Sequence, residues 1–114
     1  MEFSKIHWHD LAIKKVVELP SEERLLFEVD YPVDWENLKW EPHAIKWEPH
    51  TIEFDDLYTY EIHEGPFVGS PTILGATKLG IDEHGNITIK LDTNAGYRII
   101  KCKKILITEE KIYG

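Results

Sequence analysis

The sequence predicts an all-β fold of about seven mostly antiparallel strands, arranged as a sandwich or a partly closed barrel, and three observations lead there. Apolar and polar residues alternate along most of the chain. Clusters of Gly, Pro, Asn and Asp interrupt that alternation about every 8 to 12 residues, the spacing of short strands in sandwiches. No stretch repeats apolar residues at i, i+3, i+4 and i+7 for three turns, as an amphipathic helix requires. The alternative is an α+β fold with one short helix near Trp35.

Leu11, Ile13, Val17 and Leu19 recur at even spacing, Pro20-Ser21-Glu22-Glu23 makes a turn, and Leu25, Phe27, Val29 and Tyr31 resume the alternation. This is a β-hairpin. Lys15 falls on its apolar face, so a bulge or a snorkelling lysine stem is expected there. Pro32 ends the second strand, and Asp34 to Leu38 holds too few residues for more than a helical turn.

Residues 39–45 and 46–52 then say nearly the same thing twice, Lys-Trp-Glu-Pro-His-Ala-Ile and Lys-Trp-Glu-Pro-His-Thr-Ile, with six of seven positions identical. A shift of seven is odd, so in one continuous strand equivalent residues would point to opposite faces. Pro42 and Pro49 cannot occupy a central strand position with both edges paired, which makes each Glu-Pro a strand start, an edge or a turn. Only the second copy runs directly into a long alternation, Ile52 to Ile62.

Asp56 breaks that alternation from the apolar side. A bulge at Asp55-Asp56, which also brings Leu57 inward, is the cheaper reading, because a carboxylate pointing into a core must be desolvated. After a Gly-Pro loop at 65–71, Ile73, Gly75, Thr77, Leu79 and Ile81 alternate. Asp82 to Asn86 is a hairpin turn, and Ile87, Ile89 and Leu91 follow. Thr93 to Gly96 is the next turn, and a last strand runs from Tyr97 towards Thr108 with a parity change near Ile100 to Cys102. Together they form a C-terminal three-strand meander.

The 114 residues are the size of a single domain, 1–114, able to bury one core without staples. The chain carries 21 acids against 13 bases, and 16 of those acids lie before residue 71, where there are only six bases. Such a surface repels phosphate backbones, so nucleic acid is not expected as a partner and a basic protein is. The plainer reading is that the charge keeps a small protein soluble. The start of the chain lacks an apolar leader, and no apolar run approaches the roughly 18 residues that span a bilayer. With one unpaired cysteine, Cys102, a cytoplasmic protein without a membrane partner is expected.

No catalytic set or cofactor signature stands out. The serines lie in no Gly-x-Ser-x-Gly context, and no lysine and hydroxyl residue complete a phosphate loop after Gly65 to Gly69. Cys102 lies among Arg98, Lys101, Lys103 and Lys104, whose charges would favour its thiolate, but no general base is marked. His7-Trp8-His9-Asp10 is the most metal-like string, although a turn or a backbone hydrogen bond from His9-Asp10 explains it as well. His43 and His50 lie roughly 23 Å apart if the chain between them is extended, too far to share a metal unless it folds back. Trp35, Trp40 and Trp47 are candidates for lining a binding groove, with burial in the core as the alternative. The binding candidates are therefore Trp35, Trp40, Trp47, His43, His50 and Asp56.

His9-Asp10 before the first hairpin, Val29-Asp30-Tyr31 followed by Trp35, and Trp47-Glu48-Pro49 running into Ile52 to Leu57 together resemble small uncharacterised bacterial proteins with a His-Asp start and a tryptophan-proline segment before a strand. Some of these are thought to be immunity-type proteins, which neutralise a toxin by binding it. The resemblance implies a non-catalytic interaction module and transfers no functional residues. Two other readings stand beside it. One is a small metal-dependent or small-molecule enzyme using His7, His9, Asp10 or the His43/His50 pair with Asp56. The other is a homodimer built by edge-strand pairing.

Overall fold

The computed structural model describes residues 3–33 and 46–109, and within them eight antiparallel strands form one sheet that does not close on itself. The expected all-β class is what the chain adopts, with eight strands where the alternation suggested seven. The only helical segments among the described residues are 3-10 turns at Phe3–Lys5 and Pro20–Glu22. The short helix weighed near Trp35 falls outside the described residues.

β1 (Leu11–Leu19) and β2 (Arg24–Val33) make the first hairpin. Its register shifts between Ile13 and Lys15. The extra residue, Lys14, resolves the parity conflict by turning Lys15 outward beside Glu28 and placing Val16 opposite Phe27. β3 (Lys46–Asp55) pairs with β2 along its whole length, whereas β8 (Lys104–Thr108) takes only Thr51 to Asp55 of its other edge. Pro49 thus sits where β3 has no second neighbour among the described residues, which is where a residue without an N–H is tolerated.

β5 (Thr72–Ile81), β6 (Ile87–Thr93) and β7 (Gly96–Cys102) form the expected meander, and β4 (Thr59–Glu64) adds to the far side of β7. The order across the sheet is β4-β7-β6-β5-β1-β2-β3-β8. β5 departs from the simple alternation read in the sequence. Bulges at Leu74 and Leu79 shift its register, leaving Leu74, Leu79 and Ile81 exposed, and it meets β1 only at Thr72 and Ile73. Gly96 opens β7 where a Cβ would collide with the His63 carbonyl, so only glycine fits that approach.

β3 runs into β4 and β7 runs into β8, and because β3 pairs with β8 and β4 with β7, these four strands are one two-stranded ribbon with a bend in it. The bend lies at residues 56–58 on one side and at Lys103 on the other. The parity change expected near Ile100 to Cys102 is this break at Lys103, with Cys102 and Ile105 both buried on either side of it. The bend folds the sheet over itself. Phe27 of β2 meets Tyr60 of β4 edge-on, ring centroids 6.0 Å apart, and the Arg98 guanidinium of β7 lies over the same Phe27 ring at 5.7 Å.

Between the two halves sit Leu11, Leu25, Phe27, Val29, Ile52, Phe54, Ile73, Ile89, Leu91, Ile100 and Ile105, all fully buried. Ile6 and Trp8 complete this core from the N-terminal segment, with Trp8 stacked 6.4 Å from Phe54 and its indole N–H donating to the Phe3 carbonyl at 3.0 Å.

One ion pair is buried with them. Arg98 and Glu64 have side chains only 7% and 9% exposed and form a two-point bridge, Nε to Oε2 at 2.8 Å and Nη2 to Oε1 at 2.9 Å. Arg98 Nη1 also donates to the Tyr60 hydroxyl at 3.1 Å, and the Thr93 hydroxyl donates to Glu64 Oε2 at 2.9 Å. Few donor or acceptor positions are left unmet, which is the condition under which a buried pair is tolerated. The bridge locks the edge strand β4 to β7 in register, since a slip of one residue would turn Glu64 away from Arg98.

Replacing one partner alone, Glu64→Gln or Arg98→Met, strands the other, and urea unfolding is expected to show a loss of about 3 to 5 kcal/mol; Arg98→Met with Glu64→Leu should recover most of it. The Arg98 guanidinium also holds the Glu64 carboxyl below its usual value. A folded-state value below the unfolded one means that this stability is fully present above the ordinary carboxyl value of 4.5 and is lost as pH falls through the depressed one. Unfolding titrated with acid should therefore show that loss in the wild type and not in Glu64→Gln.

Candidate functional site

The ribbon bend brings four connections together: the β1–β2 turn, the β3–β4 joint, the β5–β6 turn and the β7–β8 joint. Glu23 closes the 3-10 turn in the left-handed region, its N–H donating to the Pro20 carbonyl at 3.1 Å. Its own carbonyl accepts the Leu57 N–H at 2.8 Å, tying the first turn to the β3–β4 joint. Asp56 is also left-handed, at φ 54°, and exposed. The Asp55-Asp56 anomaly is thus a chain bend with Leu57 packed against the core, and Asp56 points to solvent.

On the other wall Asp82 organises the β5–β6 turn. Its carboxylate accepts the backbone N–H groups of His84 and Asn86, each at 2.9 Å, and the Asn86 side-chain amide at 3.1 Å, and it lies 3.2 Å from Lys101 Nζ. These donors, the Asn86 bonds first, hold its carboxyl far below the ordinary aspartate range. The Lys101 ammonium also lies 4.8 Å from the centre of the Tyr58 ring, which is 69% exposed. A cleft of about 540 Å³ opens here, lined by Glu23, Asp56, Leu57, Tyr58, His84, Asn86 and Lys103.

Charge is crowded around it. Glu22, Glu23, Glu53, Asp55, Asp56, Asp82 and Glu83 sit on these connections or in the strand ends beside them, against Arg24, Lys101, Lys103 and Lys104. Arg24 serves three acids, with Nε 3.1 Å from Asp55 and 3.8 Å from Glu53, and Nη1 3.9 Å from Glu22. Asp55 Oδ1 is buried and faces Arg24 without an aligned hydrogen bond, so the ion pair alone offsets its desolvation. Burial, and after it the neighbouring Asp55, raise the Glu53 carboxyl above its usual value. Glu23 and Asp56 make no ion pair among the described residues.

Of the binding candidates read from the sequence, Trp47, His50 and Asp56 lie among the described residues, and these three are not brought together. Trp35, Trp40 and His43 lie outside the described residues. Trp47 and His50 stand on opposite faces of β3, and nine residues of strand put Trp47 roughly 30 Å from Asp56. Trp47 is exposed, whereas His50 is buried with its ring stacked on Tyr31 at 4.8 Å and Nδ1 3.3 Å from the Glu48 carbonyl. Among the described residues, the tryptophan that fills the core is Trp8.

The His-Trp-His-Asp string is spent on structure. His9 Nδ1 contacts the Leu74 carbonyl at 2.7 Å, Asp10 is left-handed at φ 70°, and the His7 N–H donates to the Tyr31 hydroxyl at 2.9 Å. Burial lowers the His7 pKa. Among the described residues no group of three or more His, Cys, Asp and Glu side chains is placed to hold a metal ion.

Glu23, Tyr58, His84 and Lys103 carried no signal in the sequence, because what joins them is a corner made by residues up to 80 positions apart. Arg98, Lys101, Lys103 and Lys104, close together in sequence, diverge in the fold. Arg98 points inward to Glu64, Lys101 points outward to Asp82, and the other two sit at the bend.

The fold and this corner define an open, folded-over antiparallel sheet with a charged cleft at the crease of its layers. No family model, curated protein or solved structure matches the chain. No helix among the described residues is long and apolar enough to cross a membrane.

Cys102 is not the activated thiol its basic neighbours in sequence suggested. It faces inward, and burial first, then the Asp55 and Asp56 carboxylates, push it up to about 12. An aromatic disulfide reagent at pH 8 should leave the native protein unlabelled over an hour and titrate one thiol per chain in denaturant.

Proposed function

We propose that the chain is a non-catalytic, cytoplasmic interaction module of the immunity type, and that it meets a basic partner at the corner cleft. The observation that carries this reading is the pair of carboxylates that have no ion pair among the described residues, Glu23 and Asp56, beside an exposed Tyr58. An aromatic face next to carboxylates suits a lysine or arginine side chain, which stacks its stem or guanidinium on the ring while its charge meets the acids. The surrounding excess of acid adds long-range attraction, which speeds encounter with a basic surface more than it deepens affinity. The resemblance to small uncharacterised bacterial proteins, some of them thought to be immunity-type, points the same way, and the lone buried thiol suits a reducing compartment.

The immobilised protein, incubated with lysate of its source cells, should retain a basic protein at about 50 mM salt and release it progressively above about 300 mM. Glu23→Gln with Asp56→Asn should weaken the purified complex about tenfold and flatten its salt dependence, and Tyr58→Ala should shorten its lifetime. Retention of nothing at physiological salt, or binding indifferent to both salt and the double substitution, would overturn the reading.

A further inference from the structure

Backbone edges without a neighbour occur at several places among the described residues, and almost every one carries a blocking device. β5 has two bulges and, between them, Lys78 on the inward side. β1 has its bulge and Lys14, while β2 and β3 carry Pro32 and Pro49 where they lack a second neighbour. β8 is only five residues long and starts on Lys104 at the bend.

β4 has none of these. It pairs with β7 in unbroken register from Thr59 opposite Lys101 to Glu64 opposite Gly96, and its other edge is the end of the sheet that the described residues form. It holds no proline, and its one inward charge, Glu64, is neutralised by Arg98. Ile62 lies opposite Arg98 and shares its inward side, yet it is 54% exposed, as an inward residue is when no strand lies beyond it.

We infer that β4 is the self-association edge of this protein, pairing antiparallel with β4 of a second copy about a two-fold axis at Ile62. Directly opposed residues on antiparallel strands share a face, so a two-fold register must be centred on a residue. Centring on Glu61 sets two carboxylates against each other, and centring on His63 sets two imidazoles together. Centring on Ile62 packs Ile62 on Ile62 and places Glu61 opposite His63 of the second copy, twice. Those two side chains already meet within one chain, with His63 Nε2 3.3 Å from Glu61 Oε1. Of these three registers, only the one centred on Ile62 satisfies both faces of the strand. The edge is separate from the corner cleft, and the inference does not rest on the function proposed above.

A ladder of six residues is small beside a standard interface, so the dissociation constant should be about 0.1 mM. Sedimentation equilibrium of the full chain from about 5 µM to 1 mM should show the mass climbing from 13.3 kDa towards twice that value. Ile62→Lys should abolish the rise, whereas Leu79→Lys on the β5 edge should not. Glu61→His should weaken association about tenfold, and adding His63→Glu should restore it, since the exchanged pair still meets across the axis. Thermal melts of each variant check that the fold is retained, and the exchange test stands even if Ile62→Lys unfolds. A mass that stays at 13.3 kDa to about 1 mM, or association that survives Ile62→Lys and is lost with Leu79→Lys, would overturn the inference, as would failure of His63→Glu to restore what Glu61→His removes.

Discussion

The bend in the β3–β4/β7–β8 ribbon is the constraint on which the other features depend. A ladder can turn sharply only where both strands break their pairing at the same level, and the backbone groups released there must find other partners. Here the Leu57 N–H goes to Glu23, the Tyr58 N–H to Lys101 and the Lys103 N–H to Asp55, at 2.7 to 3.1 Å. With those bonds made, β4 and β7 lie over β2, Phe27 acquires Tyr60 and Arg98 as cover, and a sheet that would otherwise expose one apolar face becomes two layers with a core.

Local features were legible in the sequence because local sequence specifies them. The first hairpin, the bulge required by Lys15, the turn at Asp82 to Asn86 and the C-terminal meander all follow from alternation and turn chemistry over a few residues. The bend was visible only as two unrelated irregularities, at Asp55-Asp56 and after Ile100. That they are one corner depends on the pairing of residues nearly 50 positions apart, about which periodicity says nothing. Arg98 was misleading for the same reason. In sequence it belongs to a basic run, and only Glu64, 34 positions away, makes it an interior residue.

The doubled segment reads differently once its second copy is placed. Residues 46–52 are occupied with strand formation: His50 packs on Tyr31, Ile52 is in the core, and Pro49 marks where β3 has no second neighbour among the described residues. Trp47 is exposed on the opposite face of the strand from His50. The second copy therefore owes most of its sequence to the fold, and its likeness to residues 39–45 is not evidence of a shared binding role.

Charge is treated in two ways in this molecule. Inside, Arg98 and Glu64 are matched bond for bond, so the core carries no uncompensated charge. At the corner, seven carboxylates share four cations, Arg24 is divided among three of them, and the Glu53 carboxyl is raised by burial beside Asp55. Crowding like charges beyond what their counter-ions offset opposes folding, and none of the backbone bonds that make the bend requires a carboxylate at Glu23 or Asp56. At Glu23 the left-handed backbone would suit glycine or asparagine better, whereas aspartate, as at Asp56, is a type that visits that region. Glu23 departs from the residue types that the left-handed region favours, and the corner's excess of carboxylates is a cost that the backbone bonds of the bend do not require.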